Sequence, residues 1–136
     1  MNTSLWAYPL TLLIFVAVDL FWLLGPGRPY YVSEIGTLLR ANPNMLAALA
    51  FYVVYPAGLV FFAVSGGIQA GSAQQALWQG ALFGFMAYAT YDLTNLTIIS
   101  GFTTKIAIID MVWGSLLSAG VSWVVAKILI ALAPGV

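Results

Sequence analysis

Long apolar runs alternate with short polar connections along nearly the whole chain. Four of these runs have the length of about 20 residues that a helix needs to cross a bilayer, and they occupy residues 5–24, 43–64, 76–99 and 106–132. Over residues 29–40, apolar and polar side chains fall on opposite helical faces, which is typical of a helix on the membrane surface. The pattern predicts an all-α polytopic membrane protein, with four transmembrane helices in an up-down bundle and a short interfacial helix between the first and second.

The connections between the apolar runs carry turn and capping patterns. Asn42 followed by Pro43 predicts the start of the second span. Within that span, Pro56 should kink the helix near the bilayer midplane. Residues 65–75 are rich in Gly, Ser and Gln and predict a polar connection. Residues 100–105 predict a tight turn with a capping threonine.

Composition agrees with the apolar pattern. Hydrophobic residues make up 62% of the chain and charged residues only 6%, against roughly 25% charged residues in soluble domains. We therefore expect one four-span membrane domain over residues 1–136, ending in a frayed tail at 133–136. Basic and acidic residues cancel, so no basic patch is available for nucleic acid. The absence of Cys and His excludes disulfides and the usual zinc sites, and we predict no metal and no cofactor.

The few basic residues suggest an orientation. Arg28, Arg40 and Lys105 fall on one side of the predicted bundle, and Lys127 falls on the other. Cytoplasmic loops of membrane proteins carry an excess of Lys and Arg. We therefore expect the first and third connections in the cytoplasm and both termini outside.

A polar stripe interrupts the third apolar run. At 3.6 residues per turn, Tyr88, Tyr91, Asp92 and Asn95 fall on one helical face. An aspartate at the centre of a span costs about 2.5–3.5 kcal/mol if it faces lipid. We therefore predict that this stripe faces the protein interior.

Two other features have structural interpretations. Gly80 and Gly84 continue the polar face upstream, and we interpret them as an internal helix contact in preference to a dimer seam. A homo-oligomer stays open as an alternative. Tyr30 and Tyr31 fit an interfacial aromatic belt, which requires no ligand.

Three aspartates should lie at a similar depth in the bundle. In an up-down arrangement, Asp19, Asp92 and Asp110 lie roughly 7–12 Å from the same membrane face, at about 1.5 Å per residue. Exposing all three to lipid would cost roughly 8–10 kcal/mol, so they should meet in the interior. The predicted pocket is lined by Asp19, Trp22, Tyr52, Tyr55, Tyr88, Tyr91, Asp92, Asn95, Asp110 and Trp113.

This polar cluster has a functional and a structural interpretation. In the first, the carboxyl groups line an intramembrane pocket that binds a ligand or exchanges protons. In the second, Asp19 and Asp110 accept hydrogen bonds from Trp indoles, while Asp92 pairs with Asn95 or with Tyr hydroxyls to hold the helices together. We favour the pocket, because ionisable residues inside membranes are usually functional. Asp19 and Asp110 each open an Asp-x-x-Trp motif, a match too short to establish a repeat.

Several strings resemble the bacterial predicted membrane proteins catalogued as domain of unknown function 2177. The most specific is Tyr91-Asp-Leu-Thr-Asn-Leu96, followed by Asp110-Met-Val-Trp-Gly114; Val18-Asp-Leu-Phe-Trp22, Pro43-Asn44 and Phe51-Tyr52 also fit. The resemblance implies a multi-pass, four-span protein of the cell inner membrane, without a settled reaction. Members often accompany genes for fatty-acid modification and photo-oxidative stress, which favours a lipid or lipophilic ligand.

Three functions are compatible with these residues. The first is a binding or membrane accessory protein for lipids or a lipophilic small molecule, in which Asp92, Asn95 and Asp110 hold a polar head group. The second is an intramembrane lipid-modifying enzyme that uses Asp92 or Asp110 as acid or base. The third is a proton-coupled small-molecule transporter. We favour the first, because it asks least of the residues.

Overall fold

A computed structural model describes residues 2–133 as a helical structure without a strand. The α-helices are α1 Thr3–Leu24, α2 Arg28–Ile35, α3 Met45–Leu59, α4 Ser65–Ala70, α5 Ala73–Ile98 and α6 Thr104–Leu132. A 3-10 turn at Gly36–Leu38 extends α2, and a π turn at Val60–Val64 joins α3 to α4 without a break. Of the predicted tail, residues 134–136 lie outside the described residues.

Three helical stretches are long and apolar enough to cross a membrane. They are Thr3–Leu24, Met45–Ala70 and Thr104–Leu132, and they correspond to the predicted first, second and fourth spans. The predicted third span, α5, has 26 residues and would be about 39 Å long at 1.5 Å per residue. Its composition is less apolar than that of the three stretches above, because glutamines, threonines and Asp92 lower its hydropathy.

The caps at two helix starts test two predictions. Thr103 caps α6 as predicted, since its side chain accepts a hydrogen bond from the Ile106 backbone amide at 3.2 Å. The predicted cap at Asn42 is wrong. The side chain of Asn44 accepts from the Ala47 amide at 3.1 Å, and α3 begins at Met45. Both asparagines can cap a helix, but Asn44 is the one whose amide oxygen reaches a free backbone N–H of the first turn.

The polar connection predicted at residues 65–75 is also wrong. The helix continues through α4, and only Gly71 and Ser72 separate α4 from α5. Gly71 adopts φ 64°, the left-handed conformation that ends many helices at glycine. A Cβ on Gly67 would lie 2.6 Å from the Cβ of Ala76, so the small residues here serve close helix packing. Their composition resembled a loop because glycine suits both roles.

Helix α3 departs from regular geometry after Pro56. Pro56 lacks the amide hydrogen that would bond the Tyr52 carbonyl oxygen one turn earlier, and this missing bond does not itself account for the irregular turn that follows. The departure is the π turn, and the amide at its start, Val60, donates to the carbonyl oxygens of Pro56 and Ala57. Helical structure nevertheless continues to Ala70.

The most extensive helix contact joins α5 to α6. A Cβ on Gly80 would lie 2.6 Å from the Ser118 carbonyl oxygen, and one on Gly84 would lie 2.5 Å from that of Gly114. Only glycine allows the two backbones to approach so closely. The glycine pair is therefore an internal packing contact, as predicted, and its face is not free to form a dimer seam.

A hydrophobic core joins α1, α3 and α6. Its buried members are Ala7, Phe15, Tyr55, Leu59, Val64, Leu117, Val121, Val125 and Leu129. Large apolar side chains such as Leu46, Phe61 and Ile98 are exposed on the outer surface. Soluble monomers rarely expose so much contiguous apolar surface, whereas a surface in contact with lipid does.

Candidate functional site

A cavity of about 540 Å³ lies among α1, α2, α3, α5 and α6. Its walls are mainly aromatic and aliphatic, and the three aspartates predicted to meet in the interior all line it. Eight of the ten predicted pocket residues line the cavity: Asp19, Tyr52, Tyr55, Tyr88, Tyr91, Asp92, Asp110 and Trp113. The other two, Trp22 and Asn95, do not. That these residues bind a ligand stays a prediction.

Asp19 is held by two hydrogen bonds. This side chain of α1 is 3% exposed. Its Oδ2 accepts a hydrogen bond from the Tyr52 hydroxyl at 2.6 Å, and its Oδ1 accepts from Nε1 of Trp113 at 3.0 Å. Because the donors lie on α3 and α6, the Asp19 carboxylate ties three helices together.

Asp110 is held through a tyrosine that sequence analysis assigned to an aromatic belt. The hydroxyl of Tyr31, on α2, donates to Oδ1 of Asp110 at 2.7 Å, and Nε1 of Trp22 donates to the Tyr31 oxygen at 3.2 Å. Burial and the nearby carboxylate raise the pKa of the Tyr31 phenol, so it remains a donor. The aromatic-belt interpretation of Tyr31 is incomplete, because this residue lines the cavity and joins α2 to the bundle.

The two Asp-x-x-Trp motifs are linked crosswise. Trp113 of the second motif donates to Asp19 of the first, and Trp22 of the first reaches Asp110 of the second through Tyr31. The two indole rings stack with centroids 4.6 Å apart and planes inclined by 13°. The sequence echo between the motifs and the expected indole–aspartate hydrogen bonds both pointed to this arrangement.

Asp92 differs from the other two aspartates. It is fully buried on α5, and in residues 2–133 no donor reaches either of its carboxylate oxygens. Its neighbour is the carboxyl group of Asp110, and the two carboxyl groups can hydrogen-bond each other when one of them is protonated. A buried polar group without a hydrogen bond normally costs stability. Apart from this carboxyl neighbour, Asp92 therefore has hydrogen-bonding capacity that no other group of residues 2–133 uses.

The structural interpretation, in which the aspartates hold the helices together, holds for Asp19, holds in part for Asp110 and fails for Asp92. It correctly expects an indole donor for Asp19, but the direct donor to Asp110 is Tyr31. For Asp92 it is wrong, because neither the Asn95 amide nor a Tyr hydroxyl hydrogen-bonds the carboxylate. Asn95 lies half-buried on α5, outside the cavity. The aspartates also do not converge on one point, since no described group of His, Cys, Asp and Glu is placed to hold a metal ion.

Some residues that line the cavity are also exposed on the surface. Near α4 and the π turn, α5 packs closely, and a Cβ on Gly58 would lie 2.8 Å from the Phe83 ring. Phe51 on α3 and Tyr91 on α5 both line the cavity and are both exposed. The cavity wall is therefore accessible from the surface at these two rings.

Apolar helices of spanning length around an interior cavity define a helical membrane protein. The family model described as "Predicted membrane protein (DUF2177)" matches residues 4–127, so the chain belongs to this family. The match extends over α1 to α5 and most of α6, which includes every residue of the cavity. No curated protein and no solved structure matches the chain.

Proposed function

We propose that the cavity binds a lipid or another small lipophilic molecule and that Asp92 holds its polar head. The unpaired, fully buried carboxylate of Asp92 carries this proposal, because a ligand would supply the missing hydrogen-bond donors. The cavity volume of about 540 Å³ lies within the range of roughly 300–1,000 Å³ that holds small ligands.

The walls of the cavity support an apolar ligand body. Ile35, Leu39 and Ile106 line it together with the aromatic rings. Small-molecule sites commonly combine such walls with a few placed polar groups. The rings of Phe51 and Tyr91 line the cavity and are exposed, which would give a molecule dissolved in the bilayer access from the side.

The membrane arrangement that accompanies this function has four spans. We propose that α5 crosses the membrane beside α6 in an up-down bundle, in the inner membrane, with the α2 side of the bundle in the cytoplasm. The length of α5 and its extensive contact with α6 support this. Arg28 and Lys105 at the α2 side support the orientation.

Cysteine labelling tests the fourth span, since the chain has no Cys of its own. Gln69→Cys and Ser100→Cys place single thiols at exposed positions near the two ends of α5. In intact cells, a membrane-impermeant maleimide should label the Gln69→Cys chain and not the Ser100→Cys chain. Equal labelling of both would contradict a spanning α5.

Mass spectrometry of the ligand that co-purifies in mild detergent tests binding. Ala48 is a half-buried cavity-lining residue of α3, and Ala57 is an exposed residue of the same helix. We expect a lipophilic molecule with the wild-type chain and with Ala57→Phe, and its loss in Ala48→Phe, where the ring fills the cavity. A molecule retained equally by both variants would place binding outside the cavity and refute the proposal.

One observation supports a second candidate function. The carboxyl groups of Asp92 and Asp110 are neighbours, and paired carboxyl groups can act as acid and base in catalysis. An intramembrane lipid-modifying enzyme would change the lipid composition of cells that express it. That change should disappear in cells that express Asp92→Asn. A binding protein would leave the total lipid composition unchanged in cells that express either the wild-type chain or the variant.

A further inference from the structure

The charges around the cavity restrict the kind of ligand it can hold. Asp19, Asp92 and Asp110 line it, and no Lys or Arg is among its lining residues. Resting on the binding function proposed above, we propose that the ligand is a lipophilic amine whose protonated ammonium group sits between Asp92 and Asp110.

The two carboxyl groups offer complementary acceptors for an ammonium. Within residues 2–133, no donor bonds either oxygen of Asp92, and Tyr31 bonds only Oδ1 of Asp110. An ammonium has three N–H donors and no acceptor, so it can donate to both carboxyl groups at once. Hydrogen bonds between an ammonium and a carboxylate are stronger than hydrogen bonds between neutral groups. The cation would also separate two neighbouring acceptors that otherwise repel each other.

Asp19 adds negative charge near this site but is not one of the two carboxyl groups that contact the ammonium. Each of its oxygens already accepts one hydrogen bond, from Tyr52 or from Trp113. Its carboxylate still lines the same cavity, and it adds to the negative potential there. A ligand with a carboxylate or phosphate head would meet this potential with no basic side chain to pair with it.

Aromatic rings around the cavity favour the same class of ligand. Tyr55, Tyr88, Tyr91 and Trp113 line it, and the rings of Tyr55 and Tyr88 meet edge to face at 5.9 Å. The faces of such rings attract cations, an effect that grows when the pair is removed from water. Carboxyl groups and rings are independent features of the site, and both select a positive head group.

Three probes with the same alkyl chain test this inference on the full-length protein in a neutral detergent. Dodecylammonium, dodecanol and dodecanoate differ only at the head group, and Trp113 at the cavity wall provides a fluorescence reporter. We expect dodecylammonium to bind at least tenfold more tightly than dodecanol, and dodecanoate to bind more weakly than both. Equal or tighter binding of dodecanol or dodecanoate would overturn the inference.

A pair of charge-removing variants assigns the preference to the site. Asp92→Asn should reduce the advantage of dodecylammonium over dodecanol at least tenfold. Glu34→Gln removes one negative charge from α2, outside the cavity, and should leave that advantage unchanged. Retention of the advantage in Asp92→Asn, or its equal loss in Glu34→Gln, would refute the proposal.

The probe experiments can refute the amine inference without refuting the broader binding function. If Ala48→Phe abolishes binding of dodecanol but dodecylammonium shows no preference, the cavity binds lipophilic molecules and the amine inference is wrong. If no probe binds and no molecule co-purifies with the wild-type chain, the binding function itself is wrong.

Discussion

The two halves of α5 meet their neighbours in opposite ways. In the first half, Gly80 and Gly84 bring the helix backbone against carbonyl oxygens of α6, and no space remains for a side chain. In the second half, Asp92 lies beside a cavity of about 540 Å³ with no donor at its carboxylate. The close contact in one half stabilises the helix pair and allows the other half to retain an unsatisfied polar group. Such local departures from good packing usually mark functional sites.

The largest expected effect comes from filling the glycine contact. Gly84→Leu forces a side chain into the Gly114 carbonyl and the Ser118 side chain, and should lower the free energy of unfolding by about 3 kcal/mol. Gly120 on α6 is the matched control, because a Cβ there meets nothing within 4 Å. Gly120→Leu should cause no loss of stability, because its side chain meets nothing and leucine favours a helix more than glycine does. SDS titration of helix content measures both, and equal losses would contradict the role assigned to the glycine stripe.

A smaller loss is expected from the aspartate that has two donors. Asp19→Ala leaves the Tyr52 hydroxyl and the Trp113 indole without their acceptor and should cost about 2 kcal/mol. Asp92→Ala makes the same chemical change in the same cavity, but it breaks no hydrogen bond from a donor. The same titration should therefore show a clearly smaller loss for Asp92→Ala. Equal losses would mean that both carboxylates hold the fold together.

The hydrogen bond that attaches α2 to α6 can be tested by removing one oxygen atom, the Tyr31 hydroxyl. Tyr31→Phe removes the bond to Asp110 and the acceptor for Trp22, and should cost about 1 kcal/mol. Tyr30→Phe removes the neighbouring hydroxyl, which makes no hydrogen bond in the described part of the chain, and should be neutral. Thermal unfolding in detergent compares the two. A Tyr31→Phe chain as stable as Tyr30→Phe would show that the Tyr31 hydroxyl does not stabilise α2.

The general plan of the fold could be predicted because the membrane imposes it. The length of the apolar runs predicted the three helical stretches that are long and apolar enough to cross a membrane. The small residues of α5 predicted its close contact with α6. The prediction failed where one composition suits two structures. Residues 65–75 have the composition of a loop, yet α4 uses their small residues for packing against α5.

The site was predictable only in part, for a similar reason. The cost of burying carboxylates indicated that Asp19, Asp92 and Asp110 lie in the interior, and all three line one cavity. Their partners depend on contacts between residues far apart in sequence. Tyr31 bonds Asp110 across 79 positions, and no local pattern distinguishes it from Tyr30 beside it. The free carboxylate of Asp92 is likewise a property of the assembled bundle.

Ligand occupancy and stability of Asp92→Asn, measured on one preparation against wild type, test the central claim most directly. The change removes the ionisable group but keeps the shape, and in residues 2–133 no donor bonds the Asp92 oxygens. We expect the free energy of unfolding without ligand to stay within about 0.5 kcal/mol of wild type, while the co-purifying molecule disappears from the mass spectrum. An Asp92→Asn protein that loses stability and keeps its ligand would contradict the account, because Asp92 would then serve packing and not binding.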